Sequence, residues 1–142
     1  MRNVRQILEA KDARLAWVPP DAPVLDAIRC MAERHIGAVL VMDAGRLVGI
    51  ASERDYARKV VLQGRASHDT PVAAIMTSPV TTVAPDASVD TCMRLMTDGR
   101  FRHLPVVEAG SVIGVVSIGD LVKSVIEAQR LEIDALQRYI AG

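Results

Sequence analysis

Aromatic side chains are nearly absent from this sequence: one Trp, two Tyr and one Phe make up 3% of its 142 residues, while half of the chain is hydrophobic. A core with so few rings has to be aliphatic, packed from Val, Ala, Ile and Leu, and the length suits one compact body or two small units sharing a core. An excess of one charge sign is missing too. Lys plus Arg and Asp plus Glu each number 17, so no net field draws the chain to nucleic acid or to an anionic membrane surface, and any anion site must be local. The only cysteines, Cys30 and Cys92, have neither metal-ligand spacing nor the density of a secreted disulfide scaffold, and they fit a reducing, cytoplasmic setting as small hydrophobes. The first residues, MRNVRQILEAKDARLAW, lack the apolar core of a signal peptide. No run approaches the ~20 apolar residues of a membrane helix, so a soluble, unprocessed protein is expected.

Catalytic signatures are equally scarce. No His is tied by a recognisable motif to a reactive Ser or Cys, which removes the usual nucleophile, base and orienting group. Three scattered His and two isolated Cys give neither HExxH nor CxxC spacing, so no metal is required. There is no GxxxxGK[ST] loop and no GxGxxG opening a helix. An enzyme is therefore not expected.

What the sequence does contain is an internal repeat. The stretch that starts at Trp17 and the stretch that starts at Thr82 align without a gap, an offset of 65 residues. Identities recur at Pro20/Pro85, Asp21/Asp86, Val24/Val89, Val41/Val106, Gly45/Gly110, Gly49/Gly114, Ser52/Ser117 and Asp55/Asp120. After the Pro-Asp pair, Val24, Ala27, Ile28 and Met31, matched by Val89, Cys92, Met93 and Met96, show the i, i+3, i+4, i+7 stripe of an amphipathic helix. AVLVM and LPVVE, AG turns, then LVGIAS and VIGVVS read as strand pairs joined by tight hairpins. Helical patterning then returns, giving β-α-β-β-α per copy. One such unit leaves an apolar sheet face uncovered, so the pseudo-twofold pair is the expected folding unit, of mixed α/β (α+β) class. The resulting division is an N-terminal segment 1–16, repeat 1 at 17–64, a connector with the first strand of repeat 2 at 65–81, repeat 2 at 82–127 and a C-terminal helix extension at 128–142. That extension carries scattered apolar residues, which suggests a partner surface.

Each second strand ends in Gly, two hydrophobics, Ser, two variable residues and Asp: GIASERD at 49–55 and GVVSIGD at 114–120. Two explanations fit. Ser52 and Ser117 can be helix N-caps with Asp55 and Asp120 at N3, a capping box with Asp in place of Glu. Alternatively, the helix start holds phosphate while the Asp accepts both hydroxyls of a ribose. Arg58 and Lys123, three residues beyond each Asp, are placed either for phosphate contacts or on a solvated helix face. His35 and His68 fit surface or capping roles.

The 65-residue repeat, the two GhhSxxD endings and the HLPVV strand together resemble a tandem pair of cystathionine β-synthase (CBS) domains. The runs VGIASERDYARKVVLQGR and RFRHLPVVEAGSVIGVVSIGDLVKSVI are similar to those of small stand-alone bacterial CBS-pair proteins. The resemblance implies a regulatory, energy- or redox-sensing module that binds an adenine nucleotide, AMP first, with ATP, ADP or NAD(H) as alternatives, in two clefts between the copies. It implies one cleft holding Ser52, Arg54 and Asp55, completed by Thr77, Val80 and Thr81 with Arg102 and His103 reaching in. The other holds Ser117 and Asp120, with Gly37 and Ala38 at the corresponding positions and Lys123 nearby. It further implies a homodimer through the CBS modules and an unidentified regulated protein. The rival reading is a protein-interaction and dimerisation scaffold whose clefts are vestigial.

Overall fold

The structure, a computed structural model, describes residues 2–11 and 14–141. Met1, Asp12 and Ala13 of the N-terminal segment, and Gly142 at the end of the C-terminal extension, lie outside the described residues. The chain divides into two compact units: Arg14–Thr81, and Met1–Ala13 together with Thr82–Gly142.

The unit at Arg14–Thr81 contains β1 (Trp17–Val18), helix Val24–Arg34, strands Ala38–Asp43 and Arg46–Ser52, and a helical turn Glu53–Tyr56 that runs on through a wider turn, Ala57–Val61. With helix Val4–Glu9 as α1, these become α2, β2, β3 and α3. The sheet order is β1-β2-β3, with β1 parallel to β2 and β2 antiparallel to β3. The expected apolar stripe of α2 faces inward: Val24, Ala27 and Met31 are buried and Ile28 packs against their cluster, together with Val39, Val41, Ala51 and Val60.

The other unit repeats the plan with α4 (Val89–Gly99), β4 (His103–Glu108), β5 (Ser111–Ser117) and α5 (Ile118–Ala141). Val89, Cys92 and Met96 line its core, and burial raises the Cys92 thiol above its usual pKa. Both hairpins turn through Ala-Gly pairs with positive φ at both residues, 50° and 78° at Ala44 and Gly45, 51° and 80° at Ala109 and Gly110. Such paired positive φ values match the right-handed twist of the flanking strands.

The expected leading strand of the second copy is cut short. Val18 pairs with Val41 and Trp17 with Leu40, and the Leu40 amide donates to the Ala16 carbonyl at 2.9 Å. The position equivalent to Leu40 is Pro105, which has no N–H to give. Only a single bridge, Val83 to Val106, survives there, held by Val83 N–H to the Pro105 carbonyl and Val107 N–H to the Val83 carbonyl.

Helix α1 docks on this second unit, a placement not foreseen for residues 1–16. Val4 N–H donates to the Ala87 carbonyl and Arg5 N–H to the Pro85 carbonyl. In the first unit Val72 N–H and Ala73 N–H donate to the Ala22 and Pro20 carbonyls in the same way. A Cβ built on Gly114 would meet the Leu8 side chain at 2.7 Å, and one built on Gly49 would meet Met76 Sδ at 2.4 Å. Residues 4–8 thus serve the second repeat as residues 72–76 serve the first. Each repeat is closed by the segment that precedes the other repeat in the chain.

Val4, Ile7 and Leu8 are buried with Val89, Leu104, Val116 and Leu121. Leu8→Ala is expected to lower the unfolding free energy by about 2–4 kcal/mol, the usual cost of deleting a buried Leu side chain, read from the urea midpoint. A loss below about 0.5 kcal/mol, the scale of a neutral surface substitution, would show that α1 is not part of this core.

Candidate functional site

The two GhhSxxD motifs sit where β3 passes into α3 and where β5 passes into α5. Capping is present in both. Asp55 N–H donates to Ser52 Oγ at 3.1 Å, while Ser52 N–H donates to Asp55 Oδ2 at 3.0 Å. Asp120 N–H donates to Ser117 Oγ at 3.2 Å, and Ser117 N–H to Asp120 Oδ2 at 2.9 Å. The first amide of each helix is used as well: Glu53 N–H donates to the Gly37 carbonyl and Ile118 N–H to the Arg102 carbonyl. Of the amides that a helix start offers to an anion, the first and third are therefore engaged inside the protein. A phosphate at either motif has to be neutralised chiefly by side chains.

The carboxylates have different cationic partners. Lys59, one turn further along the same segment, lies 3.3 Å from Asp55 Oδ1 and also donates to the Ile75 carbonyl at 2.9 Å. Asp120 is met from the N-terminal segment, where Lys11 Nζ donates to its Oδ2 at 2.7 Å and to the Val115 carbonyl at 3.0 Å. Burial pushes the Asp120 carboxyl up, but the Lys11 bond, the Ser117 backbone N–H and the Lys11 charge outweigh it, so it titrates below the usual carboxylate range. His103 stands opposite Ser117 in the β4–β5 register. Burial lowers its pKa below the ordinary imidazole value, Asp120 pulls the other way, and Lys11 and Arg102 add to the lowering.

Sequence reasoning missed Lys11, whose only signal was a position just past an amphipathic turn outside the repeats. Of the residues it named, Ser52, Arg54, Asp55, Gly37, Ala38, Thr77, Val80 and Thr81 fall in the Arg14–Thr81 unit. There Ala38 pairs with Ser52 across the β2–β3 ladder, and Thr77 bridges Ile50. Arg102, His103, Ser117, Asp120 and Lys123 fall in the other unit, where Arg102 and Lys123 are exposed. His35 is the left-handed C-cap of α2, in line with a capping role, and His68 lies 3.2 Å from Asp69 on the surface.

A family model for the CBS domain matches twice, over residues 4–62 and 72–127, and the chain belongs to the CBS-domain family. It is 42% identical over 139 residues to the mitochondrial CBS domain-containing protein CBSX3 of Arabidopsis thaliana, spanning 94% of this chain and 68% of that one. It is 30% identical to the CBS domain-containing protein YhcV of Bacillus subtilis, over 81% of each. Among solved structures it is similar to one named for a signal-transduction protein with CBS domains from Burkholderia ambifaria, with 53% identity and a TM-score of 0.87 over 90% of this chain and 96% of that one. Among the described residues no helix is long and apolar enough to cross a membrane, and no group of three His, Cys, Asp or Glu is placed to hold a metal ion.

Asp120 of the second motif and His103 on the neighbouring strand act in the same direction on acidification. A His whose folded pKa is depressed resists protonation, so stability falls as pH drops below its unfolded value near 6.5. Asp120, also depressed, stabilises above its unfolded value and loses that contribution as pH falls through the folded one. The melting temperature is expected to decline between pH 7 and pH 5.5, and His103→Gln is expected to flatten that decline. An unchanged slope in the variant would contradict the assignment of this slope to the half-buried His103 imidazole.

Proposed function

We propose that this CBS pair is a regulatory adenine-nucleotide sensor, with AMP as the first candidate and ATP, ADP or NAD(H) as alternatives, and with no catalysis of its own. The observation that carries the reading is the pair of carboxylates, Asp55 and Asp120. Each is oriented by a reciprocal bond to a serine at a strand end, and each has an ammonium beside it. An anchored carboxylate can accept two vicinal hydroxyls of a ribose. Cationic side chains next to it can neutralise a phosphate, with Lys59 and Arg54 on one motif and Lys11, Arg102 and Lys123 around the other. Gly37, Ala38, Thr77 and His103 lie beside the motifs, and with Val80 and Thr81 they are assigned to supplying backbone and side-chain edges for a base.

Output to an unidentified partner, or to a second copy in a homodimer, is assigned to α5. Its first turn carries Asp120, while Ile126, Leu131, Ile133, Leu136, Tyr139 and Ile140 are exposed along the remainder. That exposed row also favours the second reading, a docking scaffold, in which the motif carboxylates serve only as helix caps. A ligand shifts the position of α5 only by binding one packing more tightly than another. A cytoplasmic setting completes the proposal.

Calorimetric titration of ligand-stripped protein with AMP, ATP and NADH is expected to give saturable, micromolar binding to the wild type. Asp55→Ala and Asp120→Ala should each remove one site. No binding of any of the three would leave the scaffold reading. Truncation after Ala128 is expected to keep nucleotide affinity within about twofold, well inside the 1.4 kcal/mol that makes a tenfold change, while altering self-association measured by sedimentation. Loss of nucleotide binding on that truncation would contradict the separation of sensing from output.

A further inference from the structure

We infer that Lys11, carried in by the N-terminal segment, makes the Asp120 site select phosphorylated over unphosphorylated nucleosides by exchanging its carboxylate partner for the ligand's phosphate. The inference rests on the nucleotide reading above and concerns a residue outside both GhhSxxD motifs.

The geometry sets the two motifs apart. At Asp55 the cation is Lys59, four residues along the same helical segment at 3.3 Å, with side chains 44% and 17% exposed, so the two pairs differ in origin and length and not in burial. At Asp120 the cation comes from 109 residues away in sequence and makes the shorter bond, 2.7 Å, onto the same Oδ2 that accepts Ser117 N–H. The side chains of Lys11 and Asp120 are 35% and 24% exposed, so the pair is partly desolvated. Its ammonium is anchored a second time on the Val115 carbonyl at the end of β5. The imidazole of His103 is close enough to feel this carboxylate, and the charges of Lys11 and Arg102 act on the same imidazole.

A neutral diol arriving at Asp120 has to compete with a charge-assisted bond already made on Oδ2. A nucleoside that displaces Lys11 without replacing its anion leaves a partly desolvated ammonium without its counter-ion, which is costly. A nucleotide brings the replacement: its diol takes the carboxylate, its phosphate takes Lys11, and both charges stay paired. Discrimination between AMP and adenosine at this site is therefore set by Lys11.

The test uses the full chain carrying Asp55→Ala, so that only the Asp120 site remains, and titrates AMP and adenosine calorimetrically. In the Lys11→Met variant adenosine should bind more tightly and AMP more weakly, so that the AMP-to-adenosine affinity ratio falls by about tenfold or more, the scale of one charge-assisted hydrogen bond. Lys11→Arg should keep the ratio within a few-fold of the parent, which separates charge from a general effect of altering the segment. Binding of both ligands with an unchanged ratio in Lys11→Met overturns this inference and leaves the sensor reading standing. Binding to the wild type that vanishes with Asp55→Ala overturns it as well, since the Asp120 site would then be empty. Absence of binding to the wild type and to every variant overturns both.

Discussion

At the end of the second hairpin strand of each repeat, a serine and an aspartate three residues apart bond each other's backbone, and the rest of the site follows from that reciprocal pair. The bond fixes where the strand stops and in which direction the helix leaves. It also removes most of the conformational freedom of the carboxylate, because Oδ2 of Asp55 and of Asp120 is committed to a serine N–H. A side chain so held is a poor general base but a good fixed acceptor, ready for a neutral ligand with paired hydroxyl donors. Capping and ligand binding are therefore compatible uses of one motif, since the cap is what preorganises the acceptor.

The second constraint is one of connectivity. Neither repeat closes its core with the residues that lead into it. Val72 and Ile75, which precede the second repeat, are buried in the first unit, and Val4, Ile7 and Leu8, which precede the first repeat, are buried in the second. The glycines Gly49 and Gly114 leave room for Met76 and Leu8 at the matching points. The exchange delivers Lys11 to Asp120, whereas Asp55 draws its cation from its own helical segment. Two copies of the same motif thereby acquire different electrostatic surroundings.

Much of this was legible in the sequence because it is written in local patterns. The 65-residue offset, the apolar stripes of α2 and α4 and the Ala-Gly turns at 44–45 and 109–110 each depend on residues close in sequence, where propensity and periodicity act directly. The Ser-Asp spacing of three likewise showed the cap, and the proposed site is built on the same pair. The docking of α1 was not legible, since Val4, Ile7 and Leu8 form one short amphipathic turn whose partner lies some eighty residues away. Lys11 was missed for the same reason. The shortened leading strand of the second repeat could have been anticipated from Pro105, which stands where Leu40 donates its amide in the first repeat.

Whether the motif carboxylates hold a ribose is tested most directly by comparing AMP with 2′,3′-dideoxy-AMP on the wild-type protein. The two share base and phosphate and differ only in the diol. Binding of AMP with at least about tenfold weaker binding of the dideoxy analogue, as expected when a half-buried, charged acceptor loses its donors, is the predicted result. Equal affinity for the two would contradict it and would return Asp55 and Asp120 to the role of helix caps alone.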